Sequence, residues 1–338
     1  MSKHTIVLIP GDGIGPEVTA ATKRVIEAAG LSVEWVELPA GASAVEQGFE
    51  NVLPERTLAA IRAHKIAIKG PVTTPVGKGF KSVNVQLRQK LNLYAAVRPV
   101  RSLAGVKTRF ENIDMVIVRE NTEGLYSGIE NEVTKGVVTS LKVATELACT
   151  RIARYAFRYA TRRHRGKITV FHKANIMKLS DGLFLDCARR IHEEEYPNIE
   201  YEELIIDAGC MKLVQNPDRF DVLLMENLYG DLVSDLCAGL VGGLGVVPGS
   251  NIGDDAAVFE AVHGSAPDIA GKGVANPLAC IMSGVMMLNH LHEEVIATKI
   301  RTAYDALLSE QNPQSLTRDL GGTATTNQFA DALIRKIT

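Results

Sequence analysis

Short runs rich in β-branched residues alternate with longer stretches of helical periodicity along the chain, and this alternation constrains the fold more than any other feature. Thr5 to Ile9 precedes a helical pattern from Pro16 to Ala29. Val33 to Leu38 follows, then a helical pattern near Pro54 to His64 and the run Ile66 to Lys69. The theme returns in Met115 to Arg119, Ile168 to His172, Tyr201 to Ile206 and Asp221 to Met225. Strands separated by helix-length patterns need crossover connections, so the pattern predicts an α/β layered fold with a largely parallel sheet. Only the segment 124–142 departs from it: alternating Thr, Val, Ser and Gly read there as an excursion of extended strands.

A chain of 338 residues is expected to divide into two domains. It shows no internal repeat or low-complexity linker, so tight connections must cross any boundary. Apolar residues make up 46% and charged residues 22%, ordinary for a globular protein and unlike a disordered or fibrous one. The formal charge of −2, without a basic run interleaved with aromatics, argues against a nucleic-acid partner. Arg162-Arg163-His164-Arg165 reads as a solvated helix end. Five cysteines without a Cys-x-x-Cys pair suit reduced thiols and a cytoplasmic or equivalent reducing compartment. The first residues lack the succession of a signal peptide. The uncharged stretches 236–253 and 273–289 both contain proline and read as core or subunit-interface segments, with no membrane span.

Several strands end on residues a core would not choose: Lys69, Arg119, Lys173, Asp207 and Glu226. Ligands of open α/β sheets sit beyond the carboxyl ends of strands, which points these residues toward a site. Gly11-Asp12-Gly13-Ile14-Gly15-Pro16 is not a dinucleotide fingerprint, because its last glycine comes one position early; alone it is a tight strand-to-helix turn. Arg88, Arg98 and Arg119, near the donors Ser82 and Asn84, suit a ligand with several carboxylates, although each taken singly reads more readily as a surface ion pair. Asp231 and Asp235, four apart, share one helix face and repel. A divalent cation would relieve that, and hard oxygen ligands favour Mg²⁺ or Mn²⁺. An aspartate held by the helix dipole is the plainer reading of Asp231 alone. The loop from His263 to Pro277 could wrap a planar ring, with His263 stacking and Asn276 at its edge, or be only a surface loop.

Together these segments resemble the β-decarboxylating dehydrogenases, the family of isocitrate, homoisocitrate and isopropylmalate dehydrogenases. The resemblance rests on the Gly-Asp-Gly-Ile-Gly-Pro-Glu run at 11–17, Arg-Glu-Asn-Thr-Glu-Gly-Leu-Tyr-Ser-Gly at 119–128, His-Lys-Ala-Asn-Ile-Met at 172–177 and Asn-Leu-Tyr-Gly-Asp at 227–231. It extends from about Ile6 past Gly322 and is nearest to the NAD-using isocitrate members, especially their catalytic subunits.

The resemblance implies a fold that is not Rossmann: two α/β domains with a central cleft, 1–98 with 250–338 forming the large one and 99–249 the small one. A clasp near 124–142 would join two subunits. Lys173 and Asp207 match positions that reach a neighbouring subunit's site, so the active form should be at least a homodimer.

The implied reaction is oxidation of isocitrate to oxalosuccinate with reduction of NAD, then loss of CO2 to give 2-oxoglutarate. In it Arg88, Arg98 and Arg119 hold carboxylates and Ser82 and Asn84 orient the distinguishing one. Asp207, Asp231 and Asp235 hold Mg²⁺ or Mn²⁺, and Tyr126, backed by Lys173, protonates the carbanion. Lys69, Thr74, Asn175, His263, Gly264, Ala266, Asp268, Ile269 and Asn276 form the cofactor side. Asp268 and Ile269 stand where NADP-using members resemble one another in carrying lysine and tyrosine, and a carboxylate repels a 2′-phosphate; Lys272 nearby argues mildly the other way. An apolar substrate would leave Ser82 and Asn84 unpaired, whereas homoisocitrate, one methylene longer, is harder to exclude. A non-catalytic regulatory subunit should lack parts of this set. Glu226 stands where the family commonly places proline or a small residue, either altering the metal site or facing solvent.

Overall fold

The computed structural model describes residues 3–74 and 81–338. Ten strands form one sheet: β1 (His4–Ile9), β2 (Val33–Glu37), β3 (Ile66–Lys69), β4 (Ala95–Arg101), β5 (Asp114–Glu120), β8 (Lys167–His172), β9 (Glu200–Ile205), β10 (Val222–Met225), β11 (Pro248–Ile252) and β12 (Ala257–Ala261). The remaining two, β6 (Gly124–Thr134) and β7 (Val137–Val143), make a separate antiparallel ribbon. The order across the large sheet is β2-β1-β3-β12-β11-β4-β5-β10-β8-β9.

The expectation of a largely parallel sheet holds for each wing and fails in the middle. Three consecutive pairings, β12–β11, β11–β4 and β4–β5, are antiparallel, while both flanks are parallel. The two wings therefore run in opposite directions, and the sheet is neither Rossmann-like nor uniformly wound. Sequence reading missed β4 and β11 because Pro99 and the run Pro248-Gly249-Ser250-Asn251 resemble loop chemistry. Proline forfeits one ladder donor, which the sheet tolerates at these positions.

The two-residue period of a strand decides which helices cover it. Ile6 and Leu8 face a core shared with α1 (Gly15–Ala28), α9 (Leu278–His290), α10 (Glu294–Ser309) and α11 (Thr326–Ile337). Val7 and Ile9 face the opposite layer, built from the stretch holding α2 (Ala42–Glu46), with α3 (Glu55–His64) and α4 (Val83–Lys90). On the other wing Val222 and Leu224 pack against α5 (Glu146–Arg162) and α6 (Ser180–Glu195). Leu223 and Met225 join the first core, beside α7 (Ile206–Gln215) and α8 (Asn227–Leu240).

The expected excursion at 124–142 is the β6–β7 ribbon, exposed from Ile129 to Leu141. Val133 and Val138 are each 65% exposed, and Leu179 and Leu232, on neighbouring elements, are also bared. No helix among the described residues is long and apolar enough to cross a membrane; the stretches 236–253 and 273–289 are largely buried. All five cysteines are free. The basic cluster is more than a solvated helix end, because Arg165 holds Asp114 at 2.6 Å and Asp221 at 3.0 Å.

Candidate active site

The register of the sheet sets a row of charges along its centre. Lys69 stands beside Glu260, and Glu260 beside Gly249. Gly249 adjoins Arg98, one step from the Ser250–Val97 pair. Above this row lies a cavity of about 240 Å³ lined by Lys69, Ser82, Asn84, Arg88, Arg98, Tyr126, Asp231, Asp235, Glu260, His263 and Gly264, with Val72 and Val85 as apolar wall.

Each polar side chain reaches the cavity from an element that fixes it. Ser82 caps α4 by accepting from Val85 N, which presents Asn84 and Arg88 along the first turns of that helix. Arg98 rises from mid-β4 and lies 3.4 Å from Asp231 and 3.3 Å from Asp235, with Ser234 as a further partner. Arg119, wholly buried at the end of β5, bonds Asp231 and the side-chain oxygen of Asn227. It can lie against α8 only because position 230 is glycine: a Cβ there would sit 2.4 Å from Arg119 Cγ. Tyr126, at the root of the ribbon, donates to Asp231 Oδ2 at 2.5 Å, with its ring beneath the Arg119 guanidinium.

Burial and crowding tune these groups. Burial, with the neighbouring charges of Arg88 and Arg98, brings Arg119 down to about 10. Burial also lowers Arg98, with Arg88 adding to it. Burial works against ionisation of Asp231, but Arg119, Tyr126 and Arg98 hold its carboxyl below the usual range. Asp235 is raised, by burial and by the Asp231 charge, against Arg98. The helix carrying both begins at Asn227, so Asp231 lies a full turn inside it, and the reading of a dipole-held first-turn aspartate is corrected. Two carboxylates on one face, one pushed toward neutrality chiefly by burial, form a donor set that fits a hard divalent cation.

Among the described residues, three buried polar atoms in the cavity walls have no protein partner: Asn84 Oδ1, Arg88 Nε and His263 Nε2. Buried polar atoms without partners are costly, and ordered water or a ligand satisfies them. Burial lowers the His263 imidazole and favours its neutral form, which suits stacking on a ring. The loop after it is anchored on the glycine turn. Ile14 N donates to Ser265 O at 2.9 Å, and a Cβ at Gly13 would fall 2.0 Å from that oxygen. The turn is thus structural, as the displaced glycine indicated, and Asp12 joins it to Ala42, Ser43 and Thr73 through their backbone N–H groups.

The remaining cofactor-side expectations divide. Thr74 accepts from Val83 N at 3.1 Å beside α4. Gly264 and Asp268 are exposed, while Ala266 and Ile269 are partly covered. Asn276 is tied to protein at both ends of its amide, donating to Asp319 at 2.8 Å and accepting from Leu278 N at 2.9 Å. That leaves one amide hydrogen to meet a ring edge. Lys69 spends two of its three ammonium hydrogens on Glu260 at 2.7 Å and the Gly70 carbonyl at 2.9 Å.

Lys173, Asn175 and Asp207 do not join this cavity within one protomer, and among the described residues no three His, Cys, Asp or Glu side chains converge as a metal-holding group. Lys173 and Asp207 pair at 2.5 Å on the rim of a second, open depression of about 570 Å³ with Cys210, Tyr229 and Leu232. The Lys173 partner holds the Asp207 carboxyl below its ordinary range. Asn175 is exposed two residues from Lys173.

Glu226 neither faces solvent nor enters the cavity: it caps α8, accepting from Tyr229 N at 3.0 Å, and lies 3.8 Å from Lys142. Burial raises its carboxyl against the Lys142 charge.

Sequence reading missed Glu260. Burial pushes its carboxyl up, yet Lys69 and Arg88 win and hold it down to about 2. Its only signal was one acidic residue inside the apolar run Ala257 to Val262.

Comparison with known proteins agrees with this geometry. The family model described as isocitrate/isopropylmalate dehydrogenase matches residues 5–333. The chain belongs to the isocitrate/isopropylmalate dehydrogenase family. It is 52% identical to isocitrate dehydrogenase [NAD] catalytic subunit 5, mitochondrial, of Arabidopsis thaliana, over 97% of this chain and 87% of that one. It is 50% identical to a mitochondrial regulatory subunit of isocitrate dehydrogenase [NAD] from Dictyostelium discoideum, over 98% and 92%. The crystal structure of isocitrate dehydrogenase from Methylococcus capsulatus matches with a TM-score of 0.95 and 52% identity, covering 99% of both chains.

Proposed function

We propose that this chain catalyses the oxidative decarboxylation of isocitrate to 2-oxoglutarate and CO2 with reduction of NAD. One observation carries the reading. Among the described residues the cavity sets Lys69, Arg88 and Arg98, with Arg119 behind, against only three carboxylates, and leaves the Arg88 Nε–H donor unpaired where a ligand would lie. Such a site suits a small polyanion. An apolar branch against Asn84 would leave its buried amide unsatisfied at about 1–3 kcal/mol. The names of the relatives point to the same substrate and cofactor.

Arg88, Arg98 and Arg119 bind the carboxylates, with Ser82 and Asn84 orienting the one that distinguishes isocitrate. Tyr126 holds a proton at its phenolic oxygen, ready for the carbon that loses CO2. Asp231 and Asp235 would hold Mg²⁺ or Mn²⁺ with a second copy's Asp207. When bound, the cation acidifies the 2-hydroxyl and stabilises charge during decarboxylation. NAD would lie along the His263–Asn276 loop, with Asp268 disfavouring a 2′-phosphate and Thr74 and a second copy's Asn175 at the nicotinamide end.

The exposed ribbon and the bared Leu179 and Leu232 support a dimer with shared sites, in which Lys173 serves the neighbouring copy. A hetero-oligomer remains the second reading, because a regulatory subunit stands among the relatives; Tyr126, Lys173, Asp207, Asp231 and Asp235, all present, favour a catalytic role. The division of the chain into 1–98 with 250–338 and 99–249 would fall within β4 and β11, at the antiparallel centre. Both named relatives are mitochondrial, which is compatible with the equivalent reducing compartment of the expectation rather than with the cytoplasm, and five free thiols suit either.

The test is NADH formation with isocitrate, homoisocitrate and 3-isopropylmalate, each with and without Mg²⁺ or Mn²⁺, and repeated with NADP. Val72 and Val85 in the cavity wall are the reason to include an apolar-branched substrate. Metal-dependent turnover of isocitrate with NAD is expected; faster turnover of 3-isopropylmalate would overturn the substrate assignment.

A further inference from the structure

Glu260 is held in the cavity floor by two asparagines that do not line the cavity. Asn251, in β11 and 4% exposed, donates from Nδ2 to Glu260 Oε1 at 2.6 Å. Its Oδ1 accepts at 2.9 Å from Nδ2 of Asn121, 3% exposed, just past β5. The same Asn121 nitrogen donates to the Leu93 carbonyl at 3.1 Å. The chain of bonds has a direction. Because the Leu93 carbonyl fixes the Asn121 amine side, Asn251 must turn its oxygen to Asn121 and its amine to Glu260. The reverse orientation would set an amide oxygen against a carboxylate.

Packing alone does not call for this arrangement. Two amides buried at the centre of a sheet cost desolvation, and apolar side chains of similar volume would fill the space without it. Their effect falls on Glu260. With Oε1 occupied by Asn251 and Oε2 drawn to Lys69 at 2.7 Å, Arg88 stands off Glu260 at 3.6 Å. Among the described residues its Nε has no protein partner in the cavity wall.

We propose that Asn121 and Asn251 are positioning residues for the reaction proposed above: by occupying Glu260, they keep it from closing on Arg88, so that Arg88 stays free to grip a substrate carboxylate. The inference rests on the isocitrate reading for its substrate but not for its geometry.

In Asn251→Ala, Glu260 turns to Arg88 and competes with substrate. The KM for isocitrate rises on the order of tenfold, the scale of one charge-assisted hydrogen bond, while kcat changes by less than about threefold. Asn251→Ser, which keeps a donor, recovers part of the loss, and Asn121→Leu shifts KM in the same direction as Asn251→Ala. In a Glu260→Gln background the Asn251→Ala effect on KM disappears, because the competing charge is gone.

A second readout needs no turnover. Phenylglyoxal modification of Arg88, followed by mass spectrometry, is expected to slow about tenfold in Asn251→Ala as the guanidinium is sequestered. If the wild-type protein turns over no isocitrate, the function proposal fails and Arg88 reactivity alone decides this one. A lowered melting temperature with KM and Arg88 reactivity unchanged overturns it, as does a KM defect of equal size in the Glu260→Gln background.

Discussion

Tyr126 gives its phenolic hydrogen to Oδ2 of Asp231 at 2.5 Å, while the other oxygen of that carboxylate lies against Arg119. One carboxylate thus ties the residue proposed to deliver a proton to a guanidinium proposed to bind substrate. Burial raises the phenol, and the bond to Asp231 and its negative charge raise it further, against Arg119. The hydroxyl therefore remains protonated across the neutral range and is available as an acid.

Replacing Tyr126 by Phe removes that proton and leaves the arginines in place. Overall oxidative decarboxylation is expected to fall about 10²- to 10⁴-fold, the usual contribution of a positioned acid. Reduction of the keto intermediate by NADH, followed at 340 nm, is expected to survive far better. Equal loss in both half-reactions would exclude the role.

Gly230 lets Arg119 lie against α8. Gly230→Ala forces a methyl group into the Arg119 side chain, and overpacking of this kind costs about 1–3 kcal/mol. Both the melting temperature and isocitrate affinity should drop, whereas a Gly239→Ala control, where nothing lies within 4 Å, should lower neither.

Glu260 gives the protein an acid-sensitive contribution of known sign. Its carboxyl is held down to about 2 from an ordinary 4.5, so the folded state binds this proton less readily than the unfolded one. The stabilisation is present above the unfolded value and is lost as pH falls from there through about 2. Urea unfolding at a series of pH values should show a flatter acid limb for Glu260→Gln than for wild type. Parallel limbs would mean that the ion pair with Lys69 and the nearby charge of Arg88 do not stabilise the fold through Glu260.

Much of this architecture was legible because strand chemistry is local. Runs such as Ile66 to Lys69 and Ile168 to His172 emerge as strands, and the rule that sites lie beyond strand ends singled out Lys69 and Arg119. What sequence reading missed depends on partners distant in the chain. β11 lies in a stretch that reads only as core or interface, and shows as a strand once β4 and β12 are beside it. Glu260 passes as part of an apolar run until Lys69 and Arg88 are seen to neutralise it. Gly230-Asp231 reads as a helix start, yet the helix runs through it, since the glycine there answers to Arg119, far away in sequence.

The proposed cofactor choice rests on Asp268 and Ile269 in the loop after His263. Asp268→Lys with Ile269→Tyr should raise kcat/KM for NADP and lower it for NAD, each by about tenfold or more, as a 2′-phosphate gains a cation and free ribose hydroxyls lose an acceptor. Unchanged preference would move the determinant away from these positions.

In the proposed dimer each active site joins the Arg98–Asp231–Asp235 cavity of one copy to the Lys173–Asp207 face of another. Lys173→Met and Asp231→Asn proteins, each inactive alone, can be mixed under conditions that let protomers exchange, then assayed for NADH formation from isocitrate. If sites are shared in a dimer, random exchange makes half the molecules mixed, each with one intact site, and activity returns to about one quarter of wild type. A mixture shown by mass spectrometry to contain mixed dimers, yet as inactive as its parents, would contradict the account.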